Sequence, residues 1–348
     1  MLPSYVPDME TTSPSSLAHG GDLAAAEALF GKPDSGWLDL STGVNATAYP
    51  DTRVSAQNWQ HLPQEDATAA LLAAARRYYR VPDGIGIIGA AGSQALLQSL
   101  PEIASGGRVA IVGPTYAEHE RVWRDRGYEI RNVSEVAAAG SADIAVVVNP
   151  NNPDGRIVPP RELLAHASAL SAWRGILVVD EAFADVAPEA SILPHLTPSH
   201  PVLVLRSFGK FFGLAGLRLG FAAGTAELME RLAGRLGPWA VSGPALEIGA
   251  RALSDGNWVT SMRAHLTQRR IALDEVLKGA GLHIAGGTDL FQLIDDMRAP
   301  DVFQRLGRAG IFTRPFSHNP RWLRLGVPGS DADLRRLAAT LAAPDDSS

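Results

Sequence analysis

The chain contains no cysteine in its 348 residues, which excludes disulfides, thiolate metal sites and a cysteine nucleophile and fits a reducing compartment. No apolar run approaches the ~20 residues needed to cross a bilayer. The first residues carry Asp8 and Glu10 without an apolar core, so no secretory signal is read there. Basic runs interleaved with aromatics are also missing, and the formal charge is −6. A nucleic-acid partner is therefore not expected. The nine histidines are scattered, and His195 and His200 have loop-like Pro and Ser neighbours, so no metal site is expected. These absences leave a cytoplasmic protein acting on small molecules.

What is present is a chain long enough for one large domain and a smaller one, with the composition of a globular enzyme. After a Pro, Ser and Thr-rich start, Asp22 reads as the N-cap of a helix over Leu23 to Phe30, and a second helix spans Asp66 to Tyr79. Short apolar runs at 85–88, 108–112, 144–148, 176–179, 202–205 and 218–222 then alternate with helices at 94–103, 117–126 and 160–172. Continuous β-branched runs separated by helices predict a mostly parallel sheet buried on both faces. Such sheets bind ligands beyond the carboxyl ends of their strands. A second α+β unit follows, with strands near 282–285, 290–294, 311–313 and 322–325 and helices at 301–309 and 331–341. The expected division is an N-terminal arm over 1–40, a large domain over 41–235 and a small domain over 236–348.

The stretch from Ser207 to Gly220 holds one lysine, Lys210, and one arginine, Arg218, among glycines and aromatics. A desolvated lysine is the usual amine for a Schiff base with a carbonyl cofactor. Serine and arginine are residue types that hold a phosphate. Together they describe a cofactor with both an aldehyde and a phosphate, which fits pyridoxal 5′-phosphate. The G-x-G-x-x-G at Gly84 to Gly89 is a poor dinucleotide fingerprint, because its intervening residues are themselves the strand. The next turn, with Gly92 and Ser93 opening a helix, suits a phosphate better. Tyr116 follows one strand and could stack on a flat ring. Asn152 sits in a Pro- and Gly-bounded turn after another strand, placed to bond a phenolic oxygen. Asp180 and Glu181 close a fully apolar strand, where carboxylates are costly unless paired. A buried carboxylate such as that of Asp180 keeps a pyridine nitrogen protonated.

These residues resemble the fold-type I pyridoxal-phosphate enzymes of the aspartate aminotransferase superfamily, over about 19–341. The motifs are Asn-Asn-Pro-x-Gly, Asp-Glu-Ala-Phe and Ser-x-x-Lys followed eight residues later by Arg. The resemblance implies that Lys210 is the Schiff-base lysine, Asp180 the ring-nitrogen partner, Asn152 the ligand of the ring hydroxyl and Tyr116 the stacking aromatic. It also implies that Gly92, Ser93, Ser207 and Arg218 form the phosphate cradle. Arg324 matches an arginine that clamps the substrate carboxylate, and Arg314 a position used for substrate anions. Within the superfamily the chain is similar to the histidinol-phosphate aminotransferases and to the threonine-phosphate decarboxylase group of cobalamin biosynthesis. His19-Gly20-Gly21-Asp22 and the segment from Leu38 to Asn45 resemble the latter, with His19 and Asn45 as further substrate contacts. The implied activity is thus decarboxylation of L-threonine O-3-phosphate, with amino transfer on a similar phosphorylated amino acid as the alternative. Relatives are homodimers, and a homodimer is expected. Phe183 and Leu62 stand where many relatives have tyrosines.

Overall fold

The computed structural model describes residues 20–172 and 174–343. They form two compact units: one comprises the described residues of 44–267 with 287–290, and the other joins 20–43 with 268–286 and 291–343. The smaller unit begins with α1 (Leu23–Phe30), where the Asp22 carboxylate caps Ala25 N at 3.0 Å, and with β1 (Leu38–Asp39). The larger unit then lays down α2 (Ala56–Gln60), α3 (Glu65–Tyr78), β2 (Gly86–Ala90), α4 (Ser93–Ile103), β3 (Arg108–Val112), α5 (Ala117–Arg124), β4 (Glu129–Val133) and β5 (Ile144–Val148). It continues with α6 (Pro160–Ser171), β6 (Ile176–Asp180), β7 (Val202–Ser207), α7 (Phe208–Phe211), β8 (Gly220–Gly224), α8 (Ala226–Leu236) and α9 (Gly243–Ser254). After α10 (Gly256–Gly279) come β9 (Ile284–Thr288), β10 (Phe291–Asp295), α11 (Ala299–Arg308), β11 (Ile311–Phe312), β12 (Arg314–Pro315), β13 (Trp322–Gly326) and α12 (Asp331–Ala342).

In the larger unit seven strands pair in the order β2-β8-β7-β6-β5-β3-β4, and β8 alone runs antiparallel to its neighbours. Every residue of β5 and β7 is buried because helices cover both faces, which is why these strands read as unbroken apolar runs. Leu96, Leu100, Trp123, Leu228 and Leu232 pack on one face against Ile111, Val146, Val178 and Leu203. β4 escaped the sequence reading. Its Glu-Ile-Arg-Asn-Val pattern is half polar because it is the edge strand and is largely solvated. The strand expected over 218–222 begins later, at Gly220, because Arg218 is left-handed with φ 53°.

In the smaller unit β12, β13 and β10 pair antiparallel with β9 at the edge, and β1 pairs parallel with β11. Its core gathers Leu273, Leu277, Ile294, Phe303, Leu306, Leu323 and Leu337. The boundary expected near 235 falls instead at Thr267–Gln268, inside α10. Local composition could not show this, because α8 belongs with the large sheet only through buried Leu228, Met229 and Leu232.

At the amino ends of the parallel strands Asp143 ties β3 to the start of β5. Its carboxylate accepts from Gly107 N and Arg108 N at 3.0 Å and from Arg108 Nη2 at 3.1 Å. The Arg108 side chain and the Gly107 N–H draw this carboxyl down to about 2, below the ordinary ~3.9. A depressed carboxylate stabilises the fold above its unfolded value and loses that contribution as pH falls through the folded value. Asp143→Asn should cost about 1 kcal/mol at pH 5. The gap between wild type and variant in urea midpoint should narrow as the pH falls from about 4 towards 2; a gap that widens would contradict this.

Candidate active site

The parallel strands β2, β3, β5, β6 and β7 all end at one edge of the large sheet, and the antiparallel β8 starts there. One sheet edge therefore receives Gly92 and Ser93 after β2, Tyr116 after β3, Asn152 after β5, Asp180 at the end of β6, and Ser207 and Lys210 at β7, with Arg218 entering before β8. The register Asp180↔Leu205 sets the acid five residues before the lysine on the neighbouring strand. Lys210 Nζ lies 5.6 Å from the centre of the Phe183 ring.

An aromatic block holds the lysine turn. Phe208 stacks on Phe212 at 4.3 Å and Phe212 on Trp258 at 5.4 Å, with the Phe211 ring edge-on to both Phe212 and Trp258. Gly213 has φ 66°, and a Cβ there would stand 2.7 Å from Ala48 Cα. That close approach lets 45–49 run alongside the turn. Asn45 N donates to Lys210 O at 2.9 Å, Asn45 Nδ2 to Phe211 O at 2.9 Å, and Thr47 N to Asn45 Oδ1 at 2.9 Å. The structure thus places Asn45, expected as a substrate contact, as a brace of the lysine turn.

Asp180 is buried and hydrogen-bonded to a residue that carries no motif in the sequence. His119 Nε2 lies 2.9 Å from Asp180 Oδ2, with the imidazole fully buried. Ala182 N donates to Asp180 Oδ1 at 3.0 Å. The clue was spacing: His119 shares the inward face of α5 with Val122 and Trp123, three and four residues on. Tyr116 precedes α5, its ring 6.2 Å from the His119 ring and edge-on to it. Thr115 Oγ1 donates to Asn151 Oδ1 at 2.6 Å and Asn151 Nδ2 to Pro114 O at 3.0 Å, which joins the Tyr116 loop to the Asn152 loop. Glu181, the second acid of the pair, is fully buried; burial pushes its carboxyl up, against the opposing pull of Arg206.

Gly92, Ser93, Ser207 and Arg218, the residues expected to hold a phosphate, lie near one another at this edge. α4 opens at Gly92 with no side-chain cap, so its first N–H groups stay available. Gly92 has φ 88°, and a Cβ there would lie 2.7 Å from Arg218 Nη2. Ser207 faces Gly220 in register, and a Cβ on Gly220 would stand 2.3 Å from Ser93 N. A guanidinium close to the positive end of a helix is unfavourable unless an anion is shared between them. The residues present therefore fit the phosphate of pyridoxal 5′-phosphate, and Lys210 with Asp180 fits its aldehyde and ring nitrogen.

The smaller unit holds Arg314 and Arg324. They are direct partners across β12 and β13, so both side chains leave the same face. Like charges directly opposite destabilise a sheet unless something compensates. Arg324 is 7% exposed, donates to Ser41 O at 2.9 Å and lies 5.1 Å from the Phe291 ring centre, while Arg314 lies 5.8 Å from that of Phe316. His19 lies outside the described residues.

Fold and site together define an α/β protein whose sheet edge presents a lysine, a buried aspartate and an anion cradle. The profile of the family described as aminotransferase class I and II matches residues 40–341, and the chain belongs to that family. It is 43% identical to a threonine-phosphate decarboxylase of Sinorhizobium sp over 328 residues, covering 94% of this chain and 98% of that protein. It is 42% identical to a threonine-phosphate decarboxylase of Pseudomonas aeruginosa, covering 93% and 97%. In fold it is similar to the histidinol-phosphate aminotransferase of Sinorhizobium meliloti solved with pyridoxal-5′-phosphate. That match has a TM-score of 0.78, at 20% identity and with 98% and 97% covered.

Two substitutions probe the larger unit's site. Gly92→Ala should weaken pyridoxal phosphate binding by about tenfold or more through its clash with Arg218, read by titrating the apoprotein. His119→Phe removes the hydrogen bond to Asp180 and should lower turnover by roughly tenfold. Unchanged steady-state rates would rule that role out.

Proposed function

We propose that this protein decarboxylates L-threonine O-3-phosphate to (R)-1-amino-2-propanol phosphate with pyridoxal 5′-phosphate as cofactor, a step of cobalamin biosynthesis. The observation that carries this reading is the 42–43% identity to two threonine-phosphate decarboxylases along nearly the whole of all three chains. The Lys210, Asp180 and Arg218 geometry supports the cofactor, and the Arg314–Arg324 pair supports a substrate with a carboxylate and a phosphate.

Bound pyridoxal phosphate supplies an aldehyde for amines and a conjugated ring that accepts the electron pair of a breaking Cα bond. Lys210 Nζ is the amine that would hold the aldehyde, and it would serve as the proton donor to Cα of the substrate. Asp180, held by His119, would keep the ring nitrogen protonated. Asn152 would bond the ring hydroxyl and Tyr116 would stack on the ring. Gly92, Ser93, Ser207 and Arg218 would hold the phosphate. Arg314 and Arg324 orient the substrate anions. The orientation in which the substrate is held would decide which bond at Cα gives up its electron pair. Where that bond is the one to the carboxylate, the net change would be loss of CO₂ and its replacement at Cα by a proton.

Incubating the cofactor-loaded protein with threonine phosphate should release CO₂ with no keto acid formed. Amino transfer to 2-oxoglutarate instead would overturn the reading. Lys210→Ala should abolish the visible absorption band and lower the rate by on the order of 10³-fold or more. Arg324→Ala should raise KM roughly 10- to 100-fold.

Among the described residues no helix is long and apolar enough to cross a membrane. We propose a cytoplasmic homodimer. Trp59 and Leu62 of the larger unit are 68% and 58% exposed, and Trp239 is 59% exposed. α2 carries Trp59 and abuts the start of α9, four residues beyond Trp239. A second copy covering this apolar face accounts for it. Sedimentation should show a dimer that Leu62→Asp with Trp239→Asp weakens; a wild-type monomer at micromolar concentration would refute it.

A further inference from the structure

Arg206 lies on β7 directly before Ser207 and four residues before Lys210, and it is 4% exposed. Its Nη1 donates to Glu181 Oε2 at 2.9 Å and its Nη2 to Asp185 Oδ1 at 3.0 Å. The guanidinium sits 4.3 Å from the centre of the Tyr79 ring. Glu181 is held further: Ser191 Oγ donates to its Oε2 at 2.6 Å, Ile192 N to its Oε1 at 2.7 Å, and its own N–H to Leu205 O at 2.9 Å. On the Asp185 side, Arg263 Nε donates to Asp185 O at 2.6 Å.

Residues 180–185 thus form a short loop pinned at two points by one guanidinium. The loop begins with Asp180 and carries Phe183, whose ring faces Lys210 Nζ. The strand supplying the guanidinium also supplies the lysine. Burying two carboxylates and one arginine is no efficient route to stability, since well-packed apolar residues of similar volume serve at least as well. What three buried charges supply, and apolar side chains do not, is a fixed distance and direction.

We propose that Arg206 is a positioning residue, whose two-pronged bridge to Glu181 and Asp185 holds Asp180 and the Phe183 ring in place relative to the Lys210 amine before any cofactor arrives. This inference rests on the reading that Lys210 and Asp180 receive pyridoxal phosphate. A lysine at 206 keeps the charge but offers one ammonium in place of a fork, so it cannot reproduce both bonds in the same geometry.

The test compares wild type, Arg206→Lys, Asp185→Asn and the apolar triple variant Arg206→Met/Glu181→Met/Asp185→Leu. The single change Arg206→Met is avoided because it strands two buried carboxylates. Three quantities are read: the denaturation midpoint of the apoprotein, its dissociation constant for pyridoxal phosphate, and the pH midpoint of the lysine–cofactor absorption band. The triple variant should keep a denaturation midpoint near that of wild type, yet bind the cofactor about tenfold more weakly and shift the band by about half a pH unit. Arg206→Lys should do the same and lower kcat with little change in KM, and Asp185→Asn should move all readouts the same way by less. If Arg206→Lys and the triple variant bind cofactor within about twofold of wild type, with the band unmoved, the bridge is merely structural and the inference is overturned. Wild type without a lysine-dependent band would instead overturn the cofactor assignment, and this inference with it.

Discussion

The register between β6 and β7 is the constraint on which the site depends. Asp180 opposite Leu205 puts an acid at the end of one strand and a lysine turn just beyond the end of the next. Parallel hydrogen bonding repeated from β3 through β7 brings the other functional loops to the same edge. The antiparallel β8 is no exception to this logic. Because it starts at the edge where its neighbours end, Arg218 arrives beside the first turn of α4. A one-residue slip would turn Asp180 into the opposite face of the sheet and remove the acid from the lysine's reach.

Burial is the second theme. The larger unit sinks Asp180, Glu181, Asp185 and Arg206 below the edge, and each has a specific partner. Burial disfavours the charge on Arg206, but Asp185 and Glu181 outweigh it and hold the guanidinium protonated. Side chains so held lose little freedom when a ligand arrives, which favours a site organised in advance. In the smaller unit Arg314 and Arg324 stand opposite one another across β12 and β13, so two guanidinium groups leave the same face of the sheet.

Much of this was legible in the residues. The strands at 108–112 and 144–148 coincide with their apolar runs, and helix 23–30 with its Asp22 cap. Lys210, Asp180, Asn152, Gly92, Ser93 and Arg218 could be picked out because strand-then-turn patterns announce strand ends. Other features had no local signature. β4 is an edge strand with polar composition, and the unit boundary lies within one uninterrupted helix. His119 and Arg206 looked like an ordinary histidine and an ordinary arginine; each matters through a partner dozens of residues away for His119 and about twenty for Arg206. The bond from the Asn45 amide to the lysine turn likewise has no signature in the sequence.

The sequence by itself determined the class of fold and the kind of cofactor, and it singled out Lys210 and Asp180 as the candidate amine and acid. Local periodicity sets which segments become strands, and residue type sets which chemistry is available. Only the tertiary structure decided which buried charges pair, which residues brace others, and that two arginines ten positions apart are cross-strand partners. Those choices depend on register and on packing between distant segments, and neither is written in any short stretch of the chain.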